Sequence, residues 1–400
     1  MADQYVDMLL VGGGVASANA AKTLRAEGFQ GSVLLTTREQ DPPYRRPPSS
    51  KKYLQGRARP EDAYVLPAGW WEEHDVQLRP RTSVLSLDTD ARVATLATKE
   101  TLSYGQALIA TGATVRRLRV PGCELDGIHY LRTPGNADTI RRDLDGAENV
   151  LCVGGSYIAS EVAASLTSIG YRVTMVMLEE EPLSRQFGTT VGRFFRRVLE
   201  EHGVTLISGD EVKSIVGKGE RVVGVVTAAG RSLSADLMVC GVGAMPDVML
   251  ARKARLEIGA LGGVVCDTRL RTSVDGIFAA GDMCEYESVV HGRVVRIEHE
   301  NVAETQGATA ARNMLGADAA YDTVPYFFSD LSDWASLEYV GPAYAWDDEI
   351  VSGSLEDGVF SVWYLEGSQV RGVLSVGGHG DLDTARDLIR SGAAVSAGDL

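Results

Sequence analysis

The segment MLLVGGGVAS, residues 8–17, decides the fold class of this chain. The apolar run at 8–11 favours a strand, and the three glycines that follow favour a tight turn. Helix-forming residues come next from Ala18 to Ala26, and a second apolar run occupies 33–35. This order of strand, glycine turn, helix and strand predicts the βαβ unit that begins a dinucleotide-binding domain.

The glycine spacing fits the dinucleotide fingerprint, in which each small residue has its own task. Gly12 would make the tight turn, and Gly14 would let backbone N–H groups approach a pyrophosphate, while the small residue Ser17 would allow the helix to pack on the strand. An acid should follow the second strand and hold the ribose. Glu39 lies 22 residues beyond Ser17 with Arg38 before it, so either residue is a candidate adenosine contact or an ordinary loop charge.

The same pattern returns once, about 140 residues later, and a different pattern ends the chain. A strand is predicted at 150–153, then the turn at Gly154 and Gly155, a helix at 157–169 and a strand at 173–178. From Tyr321 the alternating aromatic segments predict an antiparallel sheet with a final helix at 383–390. The predicted fold class is therefore α/β, with two Rossmann-like dinucleotide-binding domains and a C-terminal α+β domain.

Composition and charge restrict the classes of function. The 400 residues contain 44% hydrophobic side chains and carry a net charge of −15, which argues against nucleic acid or an anionic membrane as a partner. No apolar run reaches membrane-helix length, so we expect a cytoplasmic protein. Five widely spaced cysteines without a CxxC motif predict neither disulfides nor a metal site.

Charge is unevenly distributed along the chain. Residues 38–59 hold seven basic residues against two acids, and residues 321–400 hold fourteen acids against three arginines. Both regions could be solvated faces or docking surfaces.

Further motifs are informative because of their order along the chain. Each would be an ordinary turn or basic loop alone, but RPPSSK at 46–51, ATGA at 110–113, GVGAMP at 241–246 and AAGD at 279–282 occur together with both glycine turns. In this combination the sequence resembles the two-dinucleotide-domain flavoprotein reductases, in the ferredoxin and rubredoxin reductase branch that includes putidaredoxin reductase and apoptosis-inducing factor. The resemblance covers nearly the whole chain and is weakest in the last 60 residues.

The resemblance implies a domain division and two cofactors. It divides the chain into an FAD-binding domain at 1–116 and 244–320, an NAD(P)H-binding domain at 117–243 and a C-terminal interface domain at 321–400. The residues that it implies for FAD are Gly12, Gly14, Ala16, Ser17, Arg38, Glu39, Arg46, Lys51, Val84, Ala110, Thr111, Gly112, Arg132, Gly281, Asp282, Glu300 and Val302. A helix that begins near Asn301 would direct its positive end at the flavin pyrimidine ring.

For NAD(P)H the implied residues are Gly154, Ser156, Ile158, Glu179 and Gly243. Ser156 and Ala159 replace the second and third glycines of the fingerprint, so a purely structural domain is the alternative. Glu179, Glu180 and Glu181 would repel a 2′-phosphate, which favours NADH over NADPH, although these acids could also mark a solvated strand end.

Three residues bear on the reaction centre. Lys51 and Glu161 match a family pair beside flavin N5 that would tune hydride transfer as the catalytic residues, and an ordinary salt bridge is the alternative. Glu300 stands where ferredoxin-reducing relatives often carry tryptophan, and an acid near a flavin would disfavour its anionic form.

The resemblance implies an NADH:acceptor oxidoreductase that passes electrons through FAD to a ferredoxin or rubredoxin-like protein, as a monomer or homodimer. The region from Arg45 to Arg59 would dock an acidic carrier. A flavin oxidase or dehydrogenase that acts directly on a small molecule and an NADH-sensing binding protein similar to apoptosis-inducing factor are the alternatives.

Overall fold

The chain forms two compact units, each built from three separate segments. The computed structural model describes residues 4–396, 398 and 400. Unit 1 comprises 1–45, 63–114 and 245–327, and unit 2 comprises 46–62, 115–244 and 328–400. Four short elements span a boundary between these segments: a 3-10 turn at Pro60–Ala63 and strands at Ala113–Val115, Ala244–Pro246 and Tyr326–Leu331. The sequence-based division at residues 116, 243 and 320 stays a prediction.

Unit 1 is organised around a seven-stranded sheet. Its parallel strands lie in the order Val76–Arg79, Val33–Thr36, Gln4–Val11, Thr101–Ile109 and Ile277–Ala279, and an antiparallel pair, Val93–Leu96 and Val84–Asp88, extends from Thr101–Ile109. A three-stranded sheet contains Val264–Cys266, Cys284–Ser288 and Arg293–Val295. The helices are Val15–Ala26, Trp70–Glu73, Met249–Lys253 and Glu300–Met314. The central strands are apolar and almost wholly buried, as expected for a parallel sheet that is covered on both faces.

Unit 2 contains a second parallel sheet and two antiparallel ones. The parallel sheet has the order Thr205–Ile207, Arg172–Val176, Asn149–Val153, Leu237–Cys240 and Ile128–His129. Val212–Lys218, Arg221–Thr227 and Ser232–Ser234 form a meander. The C-terminal sheet has the order Tyr326–Leu331, Ala335–Val340, Gln369–Val376, Val359–Glu366 and Asp348–Ser354. The helices are Pro134–Asp143, Tyr157–Ser168, Ser184–Glu201 and Leu382–Ser391, with a 3-10 turn at Pro47–Ser50.

The predicted fold class is confirmed. Both strand–turn–helix–strand units are present, and an antiparallel sheet with a final helix ends the chain. Two helices of unit 2 were missed by sequence reasoning. Pro134–Asp143 carried a usable signal, because Thr133 caps it, Pro134 occupies its first turn and Asn136 completes a capping box. Ser184–Glu201 is interrupted at Gly188, where the backbone has φ 79° and ψ 174°, so a continuous helical pattern is broken there.

Candidate functional site

The turn at Gly12 leaves the N-terminus of the first helix open. Gly12 has φ +126°, and a Cβ at this position would lie 2.1 Å from the carbonyl oxygen of Ala110. Gly14 is the N-cap of helix Val15–Ala26, without a side-chain cap. Within the described part of the chain, nothing lies within 4 Å of where a Gly14 Cβ would stand. The turn therefore presents unobstructed backbone N–H groups to an incoming anion, as a pyrophosphate requires.

The helix Glu300–Met314 packs closely against the start of helix Val15–Ala26, which follows the glycine turn. A Cβ at Gly307 would lie 2.1 Å from the carbonyl oxygen of Ala16, and one at Gly281 would lie 3.7 Å from the Ala16 Cβ. Gln306 is fully buried, and its Oε1 accepts a hydrogen bond of 2.8 Å from the Gly281 amide. The Gly281–Asp282 turn is thereby held beside the start of the first helix.

Two buried polar atoms at this contact test whether a cofactor fits. The Ser17 Oγ and the Gln306 Nε2 are buried and have no hydrogen-bond partner among the described residues. Buried polar groups are normally satisfied, so such atoms indicate a polar group that completes the site. Together with the open space at Gly14, they fit the phosphate and polyol parts of a flavin dinucleotide. Val302 is fully buried in the first turns of the neighbouring helix.

The other candidate residues of unit 1 make hydrogen bonds or ion pairs with residues of the same unit, or lie buried in it. Thr111 donates a hydrogen bond of 2.6 Å to the Asp247 carbonyl, and the Gly112 carbonyl accepts one from the Asp247 amide. Arg38 lies 2.9 Å from the Asp247 carboxylate, while Glu39 accepts a hydrogen bond of 2.5 Å from the Tyr44 hydroxyl. The structure therefore brings Arg38, Thr111 and Gly112 together around one residue. Val84 is half-buried at the start of the strand Val84–Asp88, and Ala110 is buried at the Gly12 turn.

Glu300 has a cationic neighbour that the sequence did not reveal. It lies in the first turn of helix Glu300–Met314, where a carboxylate is favoured by the helix dipole. Its Oε1 is 2.5 Å from Arg45, which also lies 3.9 Å from Glu304. Arg45 offsets part of the negative charge of Glu300, so the expected penalty on an anionic flavin is smaller than for an acid alone.

His299, directly before this helix, is held neutral by its surroundings. Its Nδ1 is buried without a hydrogen-bond partner among the described residues, and its ring lies against Phe327 with 5.0 Å between centroids. Burial lowers the pKa of His299 to about 4 from 6.5, and the nearby Asp282 carboxylate opposes this shift only in part. The imidazole is therefore uncharged at neutral pH.

This neutral histidine predicts a component of acid lability. Above pH 6.5 the imidazole is neutral in both the folded and the unfolded protein. Between pH 6.5 and about 4 only the unfolded form gains the proton. The free energy of unfolding therefore decreases as the pH is lowered through this window. His299→Asn should flatten the dependence of unfolding free energy on pH across this window, as measured by urea denaturation. His379→Asn removes a histidine elsewhere and serves as the control. An unchanged slope in the His299 variant would contradict the assignment.

Unit 2 contains the second glycine turn with the same backbone geometry. Gly154 has φ +120°, and a Cβ there would lie 2.4 Å from the Gly241 carbonyl oxygen. Ser156 is the N-cap of helix Tyr157–Ser168, and it makes no side-chain cap, although its hydroxyl reaches the Gly241 carbonyl at 3.4 Å. Ile158 is exposed beside the turn, and Gly243 has φ +100°. Serine at the second fingerprint position thus leaves the helix N-terminus available to an anion.

The three consecutive carboxylates after the strand Arg172–Val176 point to different neighbours. A Cβ at Gly155 would lie 2.7 Å from the Glu179 Oε2, so this carboxylate faces the glycine turn, and its other oxygen is 2.7 Å from Arg185. Glu180 lies beside Gly209. Glu181 is 2.5 Å from Arg196. From the sequence, the three acids were expected to repel a 2′-phosphate together. In the structure, Glu179 is the one of the three that faces the glycine turn.

The predicted catalytic pair also lies in unit 2. The Lys51 Nζ is 3.4 Å from the Glu161 Oε1, and both side chains are buried. Arg46, from the same proline-rich loop, donates a hydrogen bond of 3.0 Å to the Arg132 carbonyl. Sequence reasoning missed two residues of the C-terminal segment that complete this cluster: Ser329 bonds Glu161 and Asp330 bonds Lys51. No sequence signal was available for them, because they follow the pair by more than 160 residues and form part of an ordinary strand.

Four of the five cysteines are buried. Cys152, Cys240, Cys266 and Cys284 are buried, and burial raises the pKa of the Cys240 thiol to about 12, which keeps it protonated and unreactive. Across the described residues, no group of three His, Cys, Asp or Glu side chains could hold a metal ion. None of the helices in the described part of the chain is long and apolar enough to cross a membrane.

Comparison with known proteins assigns the family. The model of the pyridine nucleotide-disulphide oxidoreductases matches residues 6–307, and the reductase C-terminal model matches 326–400. Rhodocoxin reductase from Rhodococcus erythropolis is 33% identical over 96% of this chain and 89% of its own length. Rubredoxin-NAD(+) reductase from Pseudomonas putida is 33% identical over 86% of this chain and 89% of its own length.

A solved structure agrees over the whole fold. The covalent putidaredoxin reductase–putidaredoxin complex contains a chain that matches with a TM-score of 0.92 and 30% identity, over 100% of this chain and 95% of that one. The two glycine turns, the C-terminal antiparallel sheet and these full-length similarities agree. The chain belongs to the pyridine nucleotide-disulphide oxidoreductase family, in its ferredoxin and rubredoxin reductase branch, and is a flavin- and pyridine-nucleotide-dependent oxidoreductase.

Proposed function

We propose that this chain is an NADH-dependent reductase of a small iron–sulfur or rubredoxin-like electron carrier. One observation carries the proposal: each compact unit contains a complete strand–glycine turn–helix unit whose helix N-terminus is open to a phosphate. Two dinucleotides can therefore be held by one chain. The names of the similar proteins, reductases of rhodocoxin and rubredoxin, support the class of acceptor.

FAD, when bound at the Gly12 turn, would accept a hydride from the nicotinamide and release the electrons singly. The residues of the chain then have binding and tuning tasks. The Gly12 and Gly154 turns would bind the two pyrophosphates. Lys51 and Glu161 would set the charge beside the flavin, and Arg45 would offset that of Glu300. When both electrons have left, the proton that arrived with the hydride would be released to water.

The preference for NADH rests on Glu179. An acid about 20 residues beyond the glycine turn commonly accepts hydrogen bonds from the adenosine ribose and repels a 2′-phosphate. Glu179 is suited to this task because it faces Gly155. Arg185, whose side chain is 67% exposed, lies on the other side of the carboxylate and weakens the repulsion without removing it.

An anaerobic titration tests the proposed function. We expect NADH to bleach the flavin rapidly in a stopped-flow experiment, NADPH to do so more slowly, and an added ferredoxin or rubredoxin to restore the colour. Bleaching without carrier reduction would favour an NADH-sensing protein. No bleaching by either nucleotide would overturn the proposal and favour a flavoenzyme that acts directly on a small molecule.

Glu179→Ala should weaken NADH binding and reduce the discrimination against NADPH. A hydrogen bond to a charged group contributes about 1.5–3 kcal/mol, which corresponds to roughly a 10- to 100-fold rise in the Kd for NADH. Binding can be measured by isothermal titration calorimetry. Glu180→Ala is the matched control, because that carboxylate lies beside Gly209 and not at the turn. Equal effects of the two substitutions would show that the acids act only through bulk charge.

A further inference from the structure

Lys51 lies between two carboxylates, and the closer one is not its predicted partner. Its Nζ is 2.7 Å from the Asp330 Oδ2 and 3.4 Å from the Glu161 Oε1. The side chains of Lys51 and Glu161 are 9% and 6% exposed, while that of Asp330 is 33% exposed. The shorter contact of the buried ammonium is thus made with a carboxylate that reaches solvent.

Glu161 is held by other groups. The Ser50 hydroxyl donates a hydrogen bond of 2.5 Å to its Oε2, and the Ser329 hydroxyl donates one of 2.6 Å to its Oε1. Both carboxylate oxygens therefore have a neutral donor. Since these two bonds orient Glu161 without help from Lys51, the lysine is left to be oriented by Asp330. The Phe328 ring also lies 5.1 Å from the Lys51 Nζ and packs on the same ammonium.

The two carboxylates influence one another through their charges. Burial raises the pKa of Glu161; Lys51 and the two hydroxyls oppose the rise, and Asp330 adds to it. Tyr157, one turn earlier on the same helix, is a further titratable neighbour, and the Glu161 charge contributes to the raised pKa of its hydroxyl. Removing the negative charge at Asp330 should therefore make Glu161 more acidic in two ways: like-charge repulsion is lost, and Lys51 is released toward Glu161.

We propose that Asp330 is a positioning residue for Lys51. Lys51, Glu161 and Asp330 then form a charged triad that acts together in tuning the flavin. Asp330 draws the ammonium toward itself and adds a second carboxylate beside Lys51. The statement about the flavin rests on the proposed function, whereas the statement about Lys51 and Glu161 rests only on contacts within unit 2.

Loss of Asp330 removes the carboxylate that reaches solvent and leaves Lys51 beside Glu161, so a measurement of stability alone would not distinguish a structural ion pair from a positioning residue. The charge of Glu161, by contrast, is governed by a buried environment in which charges act more strongly. The test must therefore measure protonation and potential in addition to stability.

The first experiment follows the protonation of Glu161 by infrared spectroscopy of the flavin-loaded protein without nucleotide. The carboxylic C=O band is assigned by its loss in Glu161→Gln and is titrated with pH. Asp330→Asn should lower the pH midpoint of this band, Asp330→Glu should restore it, and Asp333→Asn should leave it unchanged. Asp333 is an exposed acid in the loop after the same strand and is thus a matched control. An unchanged midpoint in Asp330→Asn would overturn the proposal.

The second experiment measures the midpoint potential of the flavin by spectroelectrochemistry. Asp330→Asn should shift the potential to a more positive value, because the positive charge of Lys51 is no longer offset by Asp330. In a Lys51→Met background the same substitution should have a much smaller effect. An equal shift in both backgrounds would show that Asp330 does not act through Lys51.

The two readouts separate failure of the inference from failure of the proposed function. If no carrier is reduced but the Glu161 midpoint still falls in Asp330→Asn, the positioning role stands and the acceptor is wrong. If NADH oxidation and carrier reduction proceed but neither the infrared midpoint nor the potential responds, the function stands and Asp330 is only a surface ion pair.

Discussion

Gly14→Val should yield a folded protein that has lost its visible flavin absorbance. Gly14 has φ −99° and ψ −177°, a conformation that any residue adopts, and the space around its missing Cβ is open within the described part of the chain. The fold therefore tolerates the side chain. The two methyl groups would stand over the open helix N-terminus, where a pyrophosphate has to approach the backbone. The measurement is the ratio of visible to ultraviolet absorbance, with circular dichroism to confirm the fold.

Gly12→Ala is the informative contrast. Here the left-handed backbone and the approach of 2.1 Å to the Ala110 carbonyl oxygen penalise the fold itself. The strain alone costs about 1–3 kcal/mol, so this variant should lose flavin and also unfold at a lower temperature. A Gly14→Val protein that retains its flavin would show that the cofactor does not bind over this helix.

Gly307→Val should push helix Glu300–Met314 away from helix Val15–Ala26, which follows the Gly12 turn. A Cβ at Gly307 would lie 2.1 Å from a backbone oxygen of Ala16, and a backbone atom cannot move aside as a flexible side chain can. Overpacking of this kind costs about 3 kcal/mol, and the helix Glu300–Met314 would shift away from the Gly12 turn. We expect a lower Tm in differential scanning calorimetry together with weaker flavin retention.

Ala308→Val provides the control for this substitution. Ala308 is the next residue of the same helix and is only half-buried, so the added methyl groups can extend toward solvent. Its Tm should remain near that of the unaltered protein. If both variants lost the same stability, the cause would be the lower helix propensity of valine and not the contact with Ala16.

The parts of the fold that were predicted from sequence are those determined by neighbours along the chain. The strand before Gly12, the turn itself and the helix after it occupy one continuous segment, and apolar runs with glycine between them are visible there. The same holds for the unit around Gly154. Such local patterns place a helix N-terminus correctly because the turn chemistry and the backbone geometry are properties of the same few residues.

Charge pairing could not be predicted in this way. Glu179, Glu180 and Glu181 are identical in sequence, and only the packed structure directs them to different neighbours. The arginine that pairs with Glu300 comes from a loop 255 residues away. Asp330 is 279 residues from Lys51 and carries no motif of its own. These contacts depend on long-range topology, for which a single sequence contains no periodic signal.

The interleaved order of the segments has a consequence for synthesis on the ribosome. Unit 1 contains the Gly12 turn, yet its strand Ile277–Ala279 pairs with Thr101–Ile109, and its last segment ends at residue 327. The nascent chain therefore carries an incomplete first sheet while the whole parallel sheet of unit 2, from Ile128 to Cys240, emerges. The domain that begins first along the gene should thus be completed late, and one edge of its strand Thr101–Ile109 stays unpaired until Ile277–Ala279 has been made.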